Sequence, residues 1–401
     1  MDSNKIKNTV MKALEKENGI LYLRPAWIAR DFLKPIGRLG LDEDEWDLGD
    51  GRYILERWFG SETKADTPQG PDDEGLSYLN IEREDILLRD AVSVCGPQIM
   101  RETYSKDHVD LGRLAKLYDV DTRISYHYHQ IAEDAALVGK NAKEEAYYFP
   151  EGVDPGPHPE GFFGVHPYIV EQQKQEELLL PHIIDWNSDL ILKHSRAYLQ
   201  VPGEGMHLPS GVLHAPGTAL TLELQENSDV FSMLQAVVNG RKLPKELLYK
   251  DIRREDREKY GERIVFKQIN WEVSGDPYFY ENRNTPPVLI EETKQDEGFE
   301  EWIYYNTHKF SGKKTTVKPG SKFRSKDRGV YNIYVWQGNG RIDGHEIEGK
   351  NIGMDEVLVT HDKAVENILI ENTGSSDLVL FKFFGPDIND DVPFLKRYGP
   401  K

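Results

Sequence analysis

The chain has 401 residues, enough for two or three domains, with 38% hydrophobic and 30% charged residues, the balance of a soluble globular protein. Its net charge of −19 excludes a broadly basic surface for nucleic acid or for an anionic membrane. A single cysteine, Cys95, excludes an intrachain disulfide and a cysteine-rich zinc site, and no stretch reaches the apolar length of a transmembrane helix.

The N-terminus lacks the apolar run of a signal peptide, so a cytoplasmic protein is expected. "SNKIKNTVMKALEKENG" carries Ile6, Val10, Met11 and Leu14 at helical spacing, with Ser3-Asn4 as cap and Gly19 just past the end. That spacing predicts an amphipathic helix. "DEDEWDLGDGRYILERWFGSETKADTPQGPDDEG" reads as one or two strands among polar loops. "VDLGRLAKLYDVD" reads as a short helix. From about residue 120 to 240, short β-type runs recur between turn signals: "TRISYHYH", "EEAYYF", "DLILKHSRAYLQV", "EGMHLPS", "GVLHAPG", "ALTLELQ". This pattern predicts a β-sandwich or barrel. "LPKELLYKDIRREDREKYGE" reads as a charged helical connector. β-type runs return from "RIVFKQINWEVS" to "DLVLFKFFG" and predict a second sandwich.

The chemistry concentrates in the first of these regions. Residues i and i+2 of a strand face the same side, so His127 and His129 would project together. Glu145 lies on the next β-type run, and His214 follows the turn "LPSG". Three imidazoles and a carboxylate suit zinc, iron or manganese and leave room for water or substrate. Glu144 and Glu145 alternate, so one faces the histidines and the other is expected in solvent. His158, His166, His182, His194, His207, His308, His345 and His361 have no such setting. They read as surface or hydrogen-bonded histidines.

The stretch "VPGEGMHLPSGVLHAPGTALTLELQENSDVFSML" contains Pro202-Gly203-Glu204, Pro209-Ser210-Gly211 with His214-Ala215, and Glu223 with Ser228-Asp229. In that order these elements resemble the signature region of the type I phosphomannose isomerases, two-domain cupin enzymes. "LAKLYDVDTRISYHYHQ", "KEEAYY" and "ERWFGS" resemble further segments of the family, so the likeness runs over roughly residues 50–240. The resemblance implies a mainly β fold of two cupin (jelly-roll) domains with accessory N-terminal and connecting helices. Its expected boundaries are an N-terminal helical extension over 1–40, a metal-binding cupin over 41–240, a helical connector over 241–262 and a metal-free cupin over 263–401.

For the site, the resemblance implies one divalent metal ion, Zn2+ foremost with Mn2+ or Fe2+ as alternatives, held by His127, His129, Glu145 and His214. It implies catalytic roles for Glu223 and Lys143, and substrate contacts from Glu56, Trp58 and Asp229. The partner is a small sugar or sugar phosphate, interconverted between aldose and ketose through an enediol. The sequence departs from the family at three points. His127 replaces a glutamine, Gln130 replaces a proline, and Met233 stands where the family has an arginine. The last change opens the reading that the sugar is unphosphorylated. A cupin dioxygenase and a non-catalytic sugar-binding cupin are the alternatives from other classes.

Overall fold

The structure is a computed structural model that describes residues 2–31, 33–67, 69–81 and 84–399. The chain is mainly β, and it divides into two compact units built from interleaved segments. One unit takes Met1–Ile28, Glu56–Lys116 and Pro286–Phe394. The other takes Ala29–Leu55, Leu117–Thr285 and Leu395–Lys401. The chain passes between units inside the strands Ala26–Arg30, Tyr53–Phe59 and Arg113–Tyr118. The sequence reading expects consecutive domains instead. Long-range strand pairing, which leaves no local signature, accounts for the difference.

In the first unit, the amphipathic helix forms as Ser3–Lys16, with Ile6 and Val10 buried. Asp2 is its cap residue in place of Ser3, and Gly19, at φ 77°, closes its end with an N–H bond to the Leu14 carbonyl. The following strand Ile20–Arg24 joins an eight-stranded sheet formed mostly by C-terminal sequence, pairing Ile20 with Val359. A four-stranded sheet of Lys322–Ser325, Ile368–Asn372, Asn339–Ile342 and His345–Glu348 supplies Phe323, Ile342 and Ile370 to the same core. Ile333, Val335, Val357 and Leu380 of the larger sheet meet them there.

That core holds an ionic cluster. Lys382 shares its strand face with Leu378, Leu380 and Phe384, and all four are fully buried. The Lys382 ammonium donates to Glu300 at 2.7 Å, Ser325 at 2.5 Å and Asp327 at 2.7 Å. Lys313 is the second cation, 2.7 Å from Asp327. Two ammonium and two carboxylate groups balance, which is the condition for burying charge.

The second unit has a three-strand run, Gly205–Leu208, Glu145–Tyr148, Thr221–Glu226, all antiparallel. Its other sheet has the order Ser232–Met233, His127–Tyr128, His214–Ala215, Glu160–Phe163, Arg196–Leu199. Tyr126 and Tyr128 turn to a helical layer that includes Leu179, Ile183 and Val265. Tyr128 donates to Gln268, and Tyr126 to the Gly164 carbonyl. His127 and His129, on the alternate positions, turn the other way.

Several secondary-structure expectations are corrected, among them the start of "DLILKHSRAYLQV", where Leu190–His194 is a 3-10 turn rather than a strand. "RLAKLY" is the strand Arg113–Tyr118 with all six residues buried, so it has no polar alternation to separate it from a helix. "RIVFKQINWEVS" is two helices, Arg263–Gln268 and Trp271–Ser274, the latter capped by the Asn270 side chain. Its β-branched residues are explained by burial of Ile264 and Val265 in the helical layer. The connector also differs. Lys245–Tyr249 is a 3-10 turn and Arg254–Tyr260 a helix, and both lie within the second unit.

Candidate metal centre

His127 sits mid-sheet, paired with His214 on one side and Met233 on the other. The ligand-capable atoms of His127, His129 and His214 lie within 4.8 Å of one another, and all three residues are buried. Each Nδ1 meets a backbone carbonyl: Ser125 at 2.6 Å, Val230 at 2.6 Å and Val212 at 2.8 Å respectively. A carbonyl oxygen only accepts, so each Nδ1 holds the proton and each Nε2 keeps its lone pair. This is the tautomer a metal requires, fixed by the backbone as in known metal sites.

Glu145 stands against these histidines from the facing sheet. Its carboxylate is 3.0 Å from His129 Nε2 and 2.9 Å from His214 Nε2. Both Nε2 atoms are buried without a hydrogen-bond partner. Lone pairs therefore face a carboxylate at close range, an arrangement that a cation between them would relieve. The donor set and these orphaned atoms fit a divalent metal. Burial, with His214 and His129 beside it, pushes His127 well below its ordinary range. Burial and Lys143 push His129 down to about 3 against the pull of Glu145. Burial alone would raise Glu145. His129, Lys143 and His214 outweigh it and hold the carboxyl well below its usual range. At neutral pH His127, His129 and Glu145 are thus in metal-binding form without titration.

Lys143 and Glu223 adjoin these residues. The Lys143 ammonium is 3.3 Å from Glu145 and 3.6 Å from Glu223, and both Lys143 and Glu223 are buried. Glu223 faces inward because it pairs with Tyr147 while Gln225 pairs with Glu145. The Tyr147 hydroxyl donates to Glu145. That contact was open to sequence reasoning, since Tyr147 is i+2 from Glu145. The three carbonyls that orient the imidazoles carry no sequence signal.

The remaining expected site residues are placed differently. Asp229 is partly buried, 3.9 Å from Arg30, and it precedes the Val230 carbonyl that holds His129. Glu56 and Trp58 belong to the first unit. Trp58 is fully buried among Ala26, Ile28, Ala65 and Leu114, and its indole donates to Glu56 at 2.8 Å. This packing makes Trp58 a core residue and gives its ring no face for a sugar. Glu144 is not solvated: it is buried and 2.9 Å from His207. The helix Phe279–Arg283 and the Met206–Asn284 bridge lie at the adjacent strand, so that face is covered. Met233 is buried with Leu33, Leu55, Tyr118, Val120, Val238 and Leu243. Its sulfur accepts from the Ser125 hydroxyl at 3.0 Å. The wall beside His127 is thus apolar where the family resemblance implies an arginine.

No family model and no curated relative matches the sequence. Solved structures match along most of its length. A mannose 6-phosphate isomerase from Bacillus subtilis superposes with a TM-score of 0.61 at 17% identity, over 91% of this chain and 99% of that one. A phosphomannose isomerase variant from Salmonella typhimurium gives 0.64 at 12% identity, over 92% and 100%. A zinc-bound mannose 6-phosphate isomerase gives 0.61 at 13% identity, over 92% and 100%. The chain therefore has the fold of the mannose 6-phosphate isomerases.

Proposed function

We propose that this chain is a metal-dependent aldose–ketose isomerase acting on a mannose-type sugar. One observation carries the reading. Three tautomer-fixed imidazoles and one ionised carboxylate converge, and the ion-paired Lys143 and Glu223 lie beside them. A dioxygenase needs the ligands but has no evident use for the second pair. A sugar-binding protein needs neither.

Zn2+, or Mn2+ or Fe2+, held through Nε2 of His127, His129 and His214 and through Glu145, would supply Lewis acidity toward the sugar oxygens. The chain's own residues handle the protons. In aldose-to-ketose conversion the C2 proton leaves and a proton returns at C1, while a hydroxyl proton passes from O2 to O1. Glu223 is assigned the carbon proton, since a carboxylate in a dry site is a competent base. Lys143, placed between the two carboxylates, is assigned to offset the charge of the enediol oxygens. Tyr147 and the three carbonyls hold the ligands in register. Asp229 is assigned to sugar binding at the rim.

The apolar setting of Met233 supports a second reading in which the sugar is unphosphorylated. A dianionic phosphate beside His127 would lack the guanidinium that the family resemblance implies there. Isomerisation assays of metal-loaded and chelator-treated protein, with mannose 6-phosphate and with mannose, test both. Turnover of either sugar, lost on chelation, supports the proposal, and the preferred sugar decides between its two forms. Oxygen uptake without isomerisation would overturn it.

A further inference from the structure

Strand register in the second unit fixes which side chains stand beside the four converging residues. Directly paired residues of antiparallel strands point to the same face. His127 is paired with Met233, His214 with Phe163, and Glu145 with Leu208 and Gln225. All four of these partners are buried and none is charged. Lys143, the cation beside them, already faces two carboxylates, Glu145 at 3.3 Å and Glu223 at 3.6 Å.

The two apolar flanks differ. Phe163 is fully buried and stacks on Phe279, with ring centroids 6.2 Å apart, so that flank is closed. Met233 packs with Leu55 and Tyr118 of the facing strands, and half-buried Tyr53, Ile124 and Phe231 border this cluster, so the second flank keeps an accessible rim. The charges at that rim are engaged. The Lys250 ammonium lies 4.1 Å from the centre of the Phe231 ring and 3.1 Å from Asp251. It also donates to the Asp229 carbonyl at 3.1 Å, and the Asp229 carboxylate is 3.9 Å from Arg30. A dianionic phosphate arriving here would meet two carboxylates and an apolar wall, and desolvating it without a partner is costly. A methyl group would bury apolar area at no such cost.

We propose that the substrate is a 6-deoxyaldose of the mannose type, with its first two carbons at the centre and its terminal methyl group against Met233. The inference rests on the isomerase reading and narrows its substrate class. A six-carbon chain held through its first two oxygens reaches roughly 5 Å further, about one strand spacing. That is the step from His127 to its strand partner Met233. Met233 is then the specificity-determining residue, in contact with the end of the sugar that takes no part in proton transfer.

The test pairs binding with turnover. Zinc-loaded Glu223→Gln, in which the assigned base is removed, is titrated calorimetrically with 6-deoxymannose, mannose, lyxose and mannose 6-phosphate. Zinc-loaded wild type is assayed with the same four. 6-Deoxymannose should bind at least about 10-fold more tightly than lyxose, which lacks the methyl group, and than mannose, which adds a hydroxyl; this is the scale of one such group in an apolar pocket. Mannose 6-phosphate should bind at least about 100-fold more weakly than 6-deoxymannose. Wild-type kcat/KM should follow the same order. Met233→Arg should raise kcat/KM for mannose 6-phosphate relative to 6-deoxymannose by at least about 10-fold, and the first two panels decide the matter if that variant fails to fold. Any of the other three sugars binding as tightly as 6-deoxymannose would overturn the inference, and turnover of that sugar would leave the isomerase reading standing. Binding in the expected order without turnover of any sugar would support the apolar subsite and overturn the isomerase reading instead. Binding of none would overturn both.

Discussion

Glu145→Gln exchanges one oxygen for an NH2 group and changes little else, so it isolates the role of charge in the centre. In the metal-free protein the amide can donate to His129 or His214 Nε2, which now lie 3.0 and 2.9 Å from a carboxylate that cannot. One such bond contributes about 1 kcal/mol. Against it, Lys143 loses its nearer anion, at 3.3 Å, and keeps Glu223 at 3.6 Å. The two effects nearly cancel, so the metal-free variant should unfold within about 1 kcal/mol of metal-free wild type. The loaded proteins should differ. At free zinc 100 times its Kd, wild type gains about 2.7 kcal/mol from binding. A neutral amide ligand that weakens affinity about 100-fold leaves a gain of only about 0.4 kcal/mol at the same zinc. Urea unfolding in zinc buffer and in chelator reads both gaps. If Glu145→Gln keeps the full wild-type gain, Glu145 is not a ligand and the assignment of the centre fails.

Other expectations concern the first unit. Burial, with Asp355 adjacent, pushes Glu356 up to about 7 against Arg57 and the Gly60 N–H. A carboxyl raised in the folded state stabilises below its unfolded value of 4.5 and loses that contribution as pH rises through about 7. Relative to Glu356→Gln, wild-type unfolding free energy should therefore fall by up to about 3 kcal/mol between pH 4.5 and pH 8. A flat difference across that range would contradict the burial argument. Lys382→Met removes one of two cations from a fully buried cluster and strands Glu300 and Asp327 on Lys313 alone. It should cost about 3–5 kcal/mol in urea unfolding, and a loss below 1 kcal/mol would refute that cluster's role in stability.

The convergence of His127, His129, Glu145 and His214 was legible in sequence from strand periodicity together with the family resemblance. His127 and His129 are i and i+2, and Glu145 and His214 sit on runs that the turns around them delimit. Most strands were legible for the same reason, from "TLELQ" to "DLVLFKFF". The misread segments have burial without alternation. Arg113–Tyr118 is covered on both faces, and its leucine spacing fits a helix equally well. Residues 263–274 bury β-branched side chains as helices. Glu144 was misplaced because strand alternation alone cannot tell a solvent face from one covered by a distant helix. The interleaving of the two units rests on pairs such as Ile20 with Val359, separated by most of the chain. Nothing local encodes them.

The central claim is proton transfer on a sugar at this centre. Zinc-loaded protein in D2O with mannose 6-phosphate, and separately with mannose, should convert one of them to its ketose. The proton NMR spectrum should show deuterium entering the carbon that exchanges its proton. Glu223→Gln should bind zinc as wild type does and lose the exchange by at least about 100-fold, the scale of a missing general base. Conversion and deuterium exchange at wild-type rates in Glu223→Gln, or no exchange with either sugar in the zinc-loaded wild type, would contradict the account.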